Sequence, residues 1–151
     1  MRLILQRVRS ASVEVGGELI ASVDRGILVL VGIEEGDGPQ EVVKAAEKLA
    51  SLRIFEDEQG RMNFDCKSAH GAILLVSQFT LAASLAKGRR PSFDRAATAE
   101  VAAPLIEALA AGLRERGVAV ATGQFGAYMQ VRLINDGPVT FLLEIPARES
   151  G

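Results

Sequence analysis

The segment Asn135-Asp136-Gly137-Pro138-Val139-Thr140 lies between two apolar runs typical of β-strands, and it restricts the fold more than any other part of the chain. Proline lacks a backbone N–H, fixes its own φ and pushes the preceding residue out of the helical region. Glycine alone takes positive φ at low cost. Two interpretations follow. Gly137-Pro138 is an ordinary turn between strands, or it presents bare carbonyl oxygens to a small ligand, because Gly137 has no side chain to cover them.

Composition limits the classes of protein to which the chain can belong. Its 151 residues are 48% hydrophobic and 24% charged, which indicates one globular domain, 1–151, with a proper core. The net charge of −2 gives no overall attraction to nucleic acid, so local basic patches would have to bind such a partner. We find no signal peptide and no apolar run near the ~20 residues that cross a bilayer. The lone Cys66 suits a reducing cytosol, so we expect a cytoplasmic protein that does not enter a membrane.

The hydrophobic pattern predicts many short strands and two helices. The strand-like segments are 3–9, 11–15, 18–23, 27–33, 52–55, 61–64, 72–79, 118–122, 128–134 and 139–145. Gly16-Gly17 suits a two-residue hairpin turn, and the run 82–95 reads as a long polar loop. The strands come in hairpin-like groups. We therefore predict an α+β fold with a mostly antiparallel, barrel-like sheet, two main helices and a single domain.

The two helices are predicted from apolar stripes at helical spacing. Pro39 suits the first turn of the first helix, and Gly117 suits the C-terminal cap of the second. Pro104 allows two interpretations, because the second helix either starts close to it or bends there. The stripe residues are Val42, Ala46, Leu49 and Ala50 in the first helix, and Val101, Leu105, Leu109 and Leu113 in the second.

Polar side chains end the strongest apolar strand, in the string Ser77-Gln78-Phe79-Thr80-Leu81. Hydroxyl, amide and free backbone N–H groups at a sheet margin can hold a polar substrate. Ser77 and Thr80 also favour strand ends for local reasons alone, so a purely structural role is the simpler explanation of these residues taken by themselves. Thr80 would need an adjacent base to act as a nucleophile, and His70, the only histidine, is expected in a turn.

Other catalytic signatures are missing from the sequence. One cysteine and one histidine cannot build the common zinc sites, and neither a phosphate-binding loop nor a nucleophile elbow occurs. If the chain is an enzyme, it is expected to work without metal, cofactor or a side-chain nucleophile. Lys87, Arg89 and Arg90 lie in the long loop, where they form either a solvated surface or a functional patch.

Taken together, these segments resemble the D-aminoacyl-tRNA deacylase family over nearly the whole chain. The strings at 77–81 and 135–141 are, in this order, highly specific for that family. The other matching segments are Gln6-Arg7-Val8, Ala11-Ser12-Val13, Arg53-Ile54-Phe55, Met62-Asn63, Arg90-Pro91-Ser92-Phe93, Thr122-Gly123 and Met129-Gln130-Val131. Pro104 falls later in its helix than the family pattern has it, and the C-terminal tail is slightly extended.

The resemblance implies a cytoplasmic homodimer that hydrolyses the ester between a D-amino acid and tRNA, with no metal and no membrane. It implies that Gly137-Pro138 is a cis step, supported by Arg7, that reaches into the partner subunit's pocket. Ser77, Gln78, Phe79 and Thr80 would form the other wall. Met129 and Phe79 would line the site of the terminal adenosine.

This chemistry suggests that the RNA assists its own hydrolysis. An aminoacyl ester is reactive and carries a neighbouring 2′-OH, so positioning supplies much of the rate. Thr80 is expected to orient and not to attack, while N–H groups near Phe79 and Thr80 stabilise the oxyanion. Carbonyl oxygens at Gly137 and Pro138 would exclude an L side chain but not glycine, so glycyl-tRNA is also expected to be cleaved.

Lys87, Arg89 and Arg90 are expected to bind tRNA phosphates. Two other functions fit the same sequence features less closely. One is an RNA-binding module without catalysis, and the other is a hydrolase of free D-amino esters or peptides.

Overall fold

The structure, a computed structural model, describes residues 1–148 and has eight strands, two α-helices and one short 3-10 helix in that range. In chain order the elements are β1 (Arg2–Val15), β2 (Glu18–Val23), β3 (Gly26–Gly32), α1 (Pro39–Ser51), β4 (Phe55–Glu56), β5 (Met62–Phe64), β6 (Ala72–Ser77), the 3-10 helix (Phe79–Ala82), α2 (Ala99–Glu115), β7 (Ala119–Thr122) and β8 (Gln130–Glu144).

The long strand β1 organises the six-stranded main sheet. It pairs antiparallel with β2, β3 and β8, and β6 lies parallel to both β3 and β7. Strand β2 approaches β6 and β7, so the sheet curls towards a barrel. The predicted α+β class with two main helices is confirmed. The two parallel pairings were not predicted, because apolar runs such as 27–33 and 72–79 do not reveal strand direction.

The two helices pack against each other and cover one face of the sheet, where the larger apolar core lies. Helix α1 begins at Pro39, as predicted, and the Glu41 carboxylate accepts a hydrogen bond of 2.8 Å from the Gly38 N–H. Burial by itself raises the pKa of Glu41. Hydrogen bonds from the backbone N–H groups of Gly38, Glu41 and Arg148 lower the pKa, and together they outweigh the effect of burial. The net effect holds the pKa of this carboxyl below its ordinary value.

Some predicted boundaries were wrong. Residues 3–9 and 11–15 form one strand, and the strand predicted for 72–79 ends at Ser77. Helix α2 begins five residues before Pro104, which lies inside the helix on its exposed side. Its buried face contains Ala102, Ile106, Leu109, Ala110 and Leu113, whereas the predicted stripe residue Val101 is 47% exposed.

Within residues 1–148, no helix is both long enough and apolar enough to span a bilayer.

Candidate active site

The chain turns sharply where β6 ends, and this turn builds one wall of the candidate site. The Gln78 N–H donates to the Val31 carbonyl at 2.7 Å, which extends the pairing with β3 by one residue. The 3-10 helix then packs over Gly32, whose missing side chain leaves room for Gln78 and Leu81. The Arg2 guanidinium donates to the Leu81 carbonyl at 3.1 Å and holds the far end of the helix.

Two backbone donors remain free at the start of this short helix. The N–H groups of Phe79 and Thr80 have no acceptor in its first turn. They make no other hydrogen bond within the part of the chain that the structure describes. The Gln78 side-chain amide donates to the Thr80 hydroxyl, so that hydroxyl keeps its own proton for donation. The arrangement offers hydrogen-bond donors at one point of the surface.

A cleft of about 630 Å³ opens beside this wall. Of the predicted site residues, Ser77, Gln78, Phe79 and Met129 line it together, although Met129 is far from the others in sequence. Thr80 lies next to the cleft, outside its lining. The rest of the lining is largely apolar and comes from the end of β3, the start of α2 and the turn before β8. Its volume and its few polar groups are typical of small-ligand sites.

The described lining of this cleft supplies no strong nucleophile or base. Among the described residues that line it there is no Asp, Glu, His, Lys, Arg or Cys. His70 is exposed in a turn at φ +56°, as expected from the sequence. Cys66 is fully buried, and burial raises the pKa of its thiol to about 11. In residues 1–148 no group of three His, Cys, Asp or Glu side chains could hold a metal ion.

The Gly137-Pro138 segment is not a hairpin turn, because the chain on both sides of it pairs with the same strand. Asn135 lies opposite Val8 and Thr140 lies opposite Gln6, so four residues of β8 face the single residue Arg7. The interpretation as an ordinary turn between two strands was therefore wrong. The Asn135 side-chain amide closes the base of this bulge by donating to the Arg7 and Val139 carbonyls, each at 2.9 Å.

The bulge presents its backbone to solvent, and only glycine fits at its centre. The Gly137–Pro138 peptide bond is cis, and Gly137 has φ +134°. A Cβ at Gly137 would lie 2.7 Å from Val139 Cγ2 and 3.0 Å from Val139 N. Gly137 and Pro138 are both exposed. Their carbonyl oxygens accept no hydrogen bond elsewhere in residues 1–148.

Arg7 lies under the bulge and is only 6% exposed. Its Nε donates to the Asp136 carbonyl at 3.1 Å, and its Nη1 donates to the Ile54 carbonyl at 2.8 Å. The guanidinium also faces the carboxylates of Asp136 and Glu56, each at 3.6 Å. A planar guanidinium with several fixed donors can therefore hold the bulge in one position.

The bulge and the cleft do not meet within one chain. Neither Gly137 nor Pro138 is among the described residues that line the cleft. Arg7 pairs with Ile27 on β3, whereas Ser77 pairs with Val31. Strand β8 itself reaches the cleft at Val131, which is six residues from Gly137, and six residues along a strand span roughly 20 Å. One amino-acid ester is too small to touch both.

The basic loop is confirmed as irregular, and its tip is exposed. A bridge between Ser84 and Ser92 closes the loop, and Lys87, Arg89 and Arg90 lie in its tip. These three side chains form no ion pair within residues 1–148. The Phe93 ring then packs against the Phe79 ring with centroids 5.3 Å apart, so the loop returns to the cleft.

Sequence reasoning missed several residues of the cleft, notably Phe125, Tyr128 and the apolar side chains at the start of α2. The glycines that flank Gln124 and Phe125 were a usable signal, because Gly126 takes φ +76° in a tight turn. No local pattern could have brought α2 to this place, since that contact depends on the packing of the helices.

Comparison with known proteins places this architecture in a family. The family model described as D-Tyr-tRNA(Tyr) deacylase matches residues 4–144. A protein named D-aminoacyl-tRNA deacylase from Geobacter metallireducens is 51% identical over 151 residues and covers 100% of both chains. One of the same name from Chloroflexus aurantiacus is 54% identical over 144 residues, which are 95% of this chain and 90% of that protein.

Solved structures agree with the fold. A structure titled "c-Myc DNA Unwinding Element Binding Protein" has a TM-score of 0.90 at 42% identity and covers 97% of this chain and 100% of its own. A structure titled as a probable eukaryotic D-amino acid tRNA deacylase is 20% identical with a TM-score of 0.83, and it shows a shared fold. It covers 95% of this chain and 98% of its own. These matches confirm the resemblance seen in the sequence, and the chain belongs to the D-aminoacyl-tRNA deacylase family.

Proposed function

We propose that this protein hydrolyses the ester bond of D-aminoacyl-tRNA and releases the free amino acid and tRNA. Family membership over the whole chain supports the reaction. The observation that carries the proposal is the cleft, where an apolar lining suited to an adenosine meets the polar wall of Ser77 and Gln78 and the free N–H group of Phe79. The site would act in the cytoplasm, where tRNA is charged.

Catalysis relies on positioning and on the substrate's own hydroxyl. A cleft with no carboxylate, imidazole, amine or thiol in its described lining has no conventional base to activate a nucleophile. The 2′-OH of the terminal ribose therefore assists the attack of water on the ester carbonyl. The N–H groups of Phe79 and Thr80 then stabilise the oxyanion, an effect of about 3 kcal/mol per donor in other enzymes.

Thr80 orients the reacting groups and does not attack. Its hydroxyl accepts a hydrogen bond from Gln78 and is left with one proton to donate. No described side chain of the cleft could remove that proton. Ser77, at the end of β6, offers a second hydroxyl to the polar part of the substrate.

Chiral selection comes from the bulge at Gly137 and Pro138. Their unpaired carbonyl oxygens would occupy the place where an L side chain points, whereas a D side chain points away from them. Because the mechanism selects by excluding a side chain, it does not exclude glycine. Glycyl-tRNA is therefore a substrate as well. Arg7 fixes the position of the bulge, on which the discrimination depends.

A homodimer would bring the bulge of one subunit to the cleft of the other. The distances above separate the two motifs within one chain. Strand β8 has only β1 as a partner among the described strands, so its other edge is free. Apolar side chains on it are exposed, with Ile134 at 57% and Leu142 at 53%. A long free edge with apolar side chains favours association with a second copy.

Lys87, Arg89 and Arg90 would bind the phosphates of the tRNA. The three cations are exposed at the loop tip, and the loop returns to the cleft through Phe93. Lysine and arginine contacts to phosphates are independent of sequence and weaken with salt. The loop would therefore bind tRNAs of every kind.

One set of substrates tests the function. The protein is incubated with D-Tyr-tRNA, L-Tyr-tRNA, glycyl-tRNA, L-Ala-tRNA and a free D-Tyr ester, and the released amino acid is measured. We expect rapid hydrolysis of the D-Tyr and glycyl substrates and little of either L substrate. Binding of tRNA without hydrolysis would identify an RNA-binding module. Preference for the free ester would identify a small-molecule hydrolase, and a Gly to L-Ala rate ratio near one would refute selection by exclusion.

A further inference from the structure

Four aromatic side chains surround the cleft and stand partly in solvent. Phe79 is 59% exposed, Phe93 42%, Phe125 41% and Tyr128 87%. We name these four residues the aromatic rim. Single exposed aromatic residues are common, but a group around one concave site marks a binding surface. Tyr128 is the most exposed of them, and no role assigned above uses it.

A tight turn fixes Tyr128 at the mouth of the cleft. The Ala127 N–H donates to the Gln124 carbonyl at 3.2 Å, and Gly126 takes the positive φ that the turn requires. The next residue, Met129, is half-buried in the cleft and packs over Gly123. The backbone of Tyr128 is therefore fixed one residue away from the proposed position of the terminal adenosine, with its ring in solvent.

We propose that Tyr128 stacks on the unpaired nucleotide that precedes the terminal adenosine of the tRNA. The inference rests on the function proposed above and extends the same site. With the adenosine between Phe79 and Met129, the rest of the RNA tail must leave the cleft across the rim. An exposed ring at that exit gives a base an apolar face, and every base can stack on it.

The charge around the cleft favours RNA over a protein partner. The described lining of the cleft contains no carboxylate that would repel phosphate. The tip of the loop that leads to Phe93 carries Lys87, Arg89 and Arg90, and none of the three forms an ion pair within residues 1–148. Exposed aromatic rings combined with nearby free cations form the usual surface for single-stranded nucleic acid.

Two substrates separate stacking on the tail from events in the cleft. One is D-Tyr-tRNA, and the other is the D-Tyr ester of adenosine alone, which has no preceding nucleotide. We expect Tyr128→Ala to raise KM for D-Tyr-tRNA roughly tenfold and to raise KM for the adenosine ester by a clearly smaller factor. Tyr128→Phe keeps an aromatic ring at this position, so its KM for D-Tyr-tRNA should equal that of the unaltered protein. Val43→Ala, which truncates an exposed apolar residue of α1, serves as the matched control.

The inference is overturned if Tyr128→Ala leaves KM for D-Tyr-tRNA unchanged, or if the variant raises KM for both substrates by the same factor. Failure of the proposed function gives a different result, because the unaltered protein then hydrolyses neither substrate. In that event the inference is tested by fluorescence anisotropy with two RNA hairpins that carry no amino acid. One hairpin has an unpaired 3′ tail and the other has none. Tyr128→Ala should remove the preference for the tailed hairpin, and an unchanged preference refutes stacking.

Discussion

Gly32→Ala tests whether the position of the 3-10 helix determines the rate. A Cβ at this residue would lie 2.8 Å from Leu81 Cβ and 3.0 Å from the Gln78 carbonyl oxygen. Neither atom is at the end of a flexible side chain. Carbon atoms in packed interiors approach to about 3.5–4.0 Å, so the helix would have to retreat by roughly 0.7–1.2 Å. The N–H groups of Phe79 and Thr80 move with it.

Gly32→Ala is expected to reduce stability modestly and the rate of hydrolysis strongly. Overpacking of this kind costs about 1–3 kcal/mol of unfolding free energy. For a chain of this length that corresponds to a loss of roughly 2–4 °C in Tm per kcal/mol. A displacement near 1 Å at a reacting centre costs roughly 100-fold in rate. We therefore expect a folded variant with a modestly lower Tm and a kcat for D-Tyr-tRNA that falls about 100-fold.

The assay combines single-turnover deacylation with thermal unfolding. KM should change little, because the basic loop and the aromatic rim are untouched. The control Gly112→Ala places a Cβ 3.3 Å from Ala46 Cβ between the helices, away from the 3-10 helix, and should keep its kcat. Gly32→Ala combined with Leu81→Gly removes the closer contact and should recover part of the rate. A well-folded Gly32→Ala variant with unchanged kcat would refute the reasoning.

Three further results are expected. Thr80→Ala should keep much of its activity while tRNA ending in 2′-deoxyadenosine loses most of it, and the opposite pattern excludes RNA-assisted hydrolysis. Because the pKa of Glu41 is lowered on folding, its carboxylate stabilises the fold above the unfolded-state pKa and stops doing so as pH falls through the folded-state pKa. Glu41→Gln should therefore lower Tm at pH 7 by roughly 3 °C, with a difference that disappears in acid; a constant difference contradicts this. Replacing Lys87, Arg89 and Arg90 together by serine should weaken binding of every tRNA alike and reduce its salt dependence, whereas a loss for one tRNA alone would count against phosphate binding.

Local chemistry decided the elements that the sequence predicted correctly. Gly16-Gly17 forms the expected turn because both residues take positive φ, at +57° and +83°. Gly117, at φ +83°, ends α2 for the same reason. Pro39 marks the start of α1 because its missing N–H is not needed in the first turn. Each of these choices depends on one or two residues and needs no knowledge of the rest of the chain.

The site itself was only partly predictable from the sequence. The string Ser77-Gln78-Phe79-Thr80 was singled out because hydroxyl, amide and free backbone N–H groups at a sheet margin can hold a polar substrate. Its geometry was not predicted, because the strand ends at Ser77 and the next residues turn into a 3-10 helix over Gly32. That turn depends on a close contact with a different strand, which no local pattern contains.

The sequence alone determined that Gly137-Pro138 could not be regular strand, since a proline without an N–H and a glycine with free φ are properties of single residues. Only the tertiary structure decided that the segment is a bulge and not a turn, because that depends on β1 pairing with the chain on both sides of it. The same pairing separates the bulge from the cleft within one chain. Residue types set what each segment can do, and long-range pairing sets which segments meet.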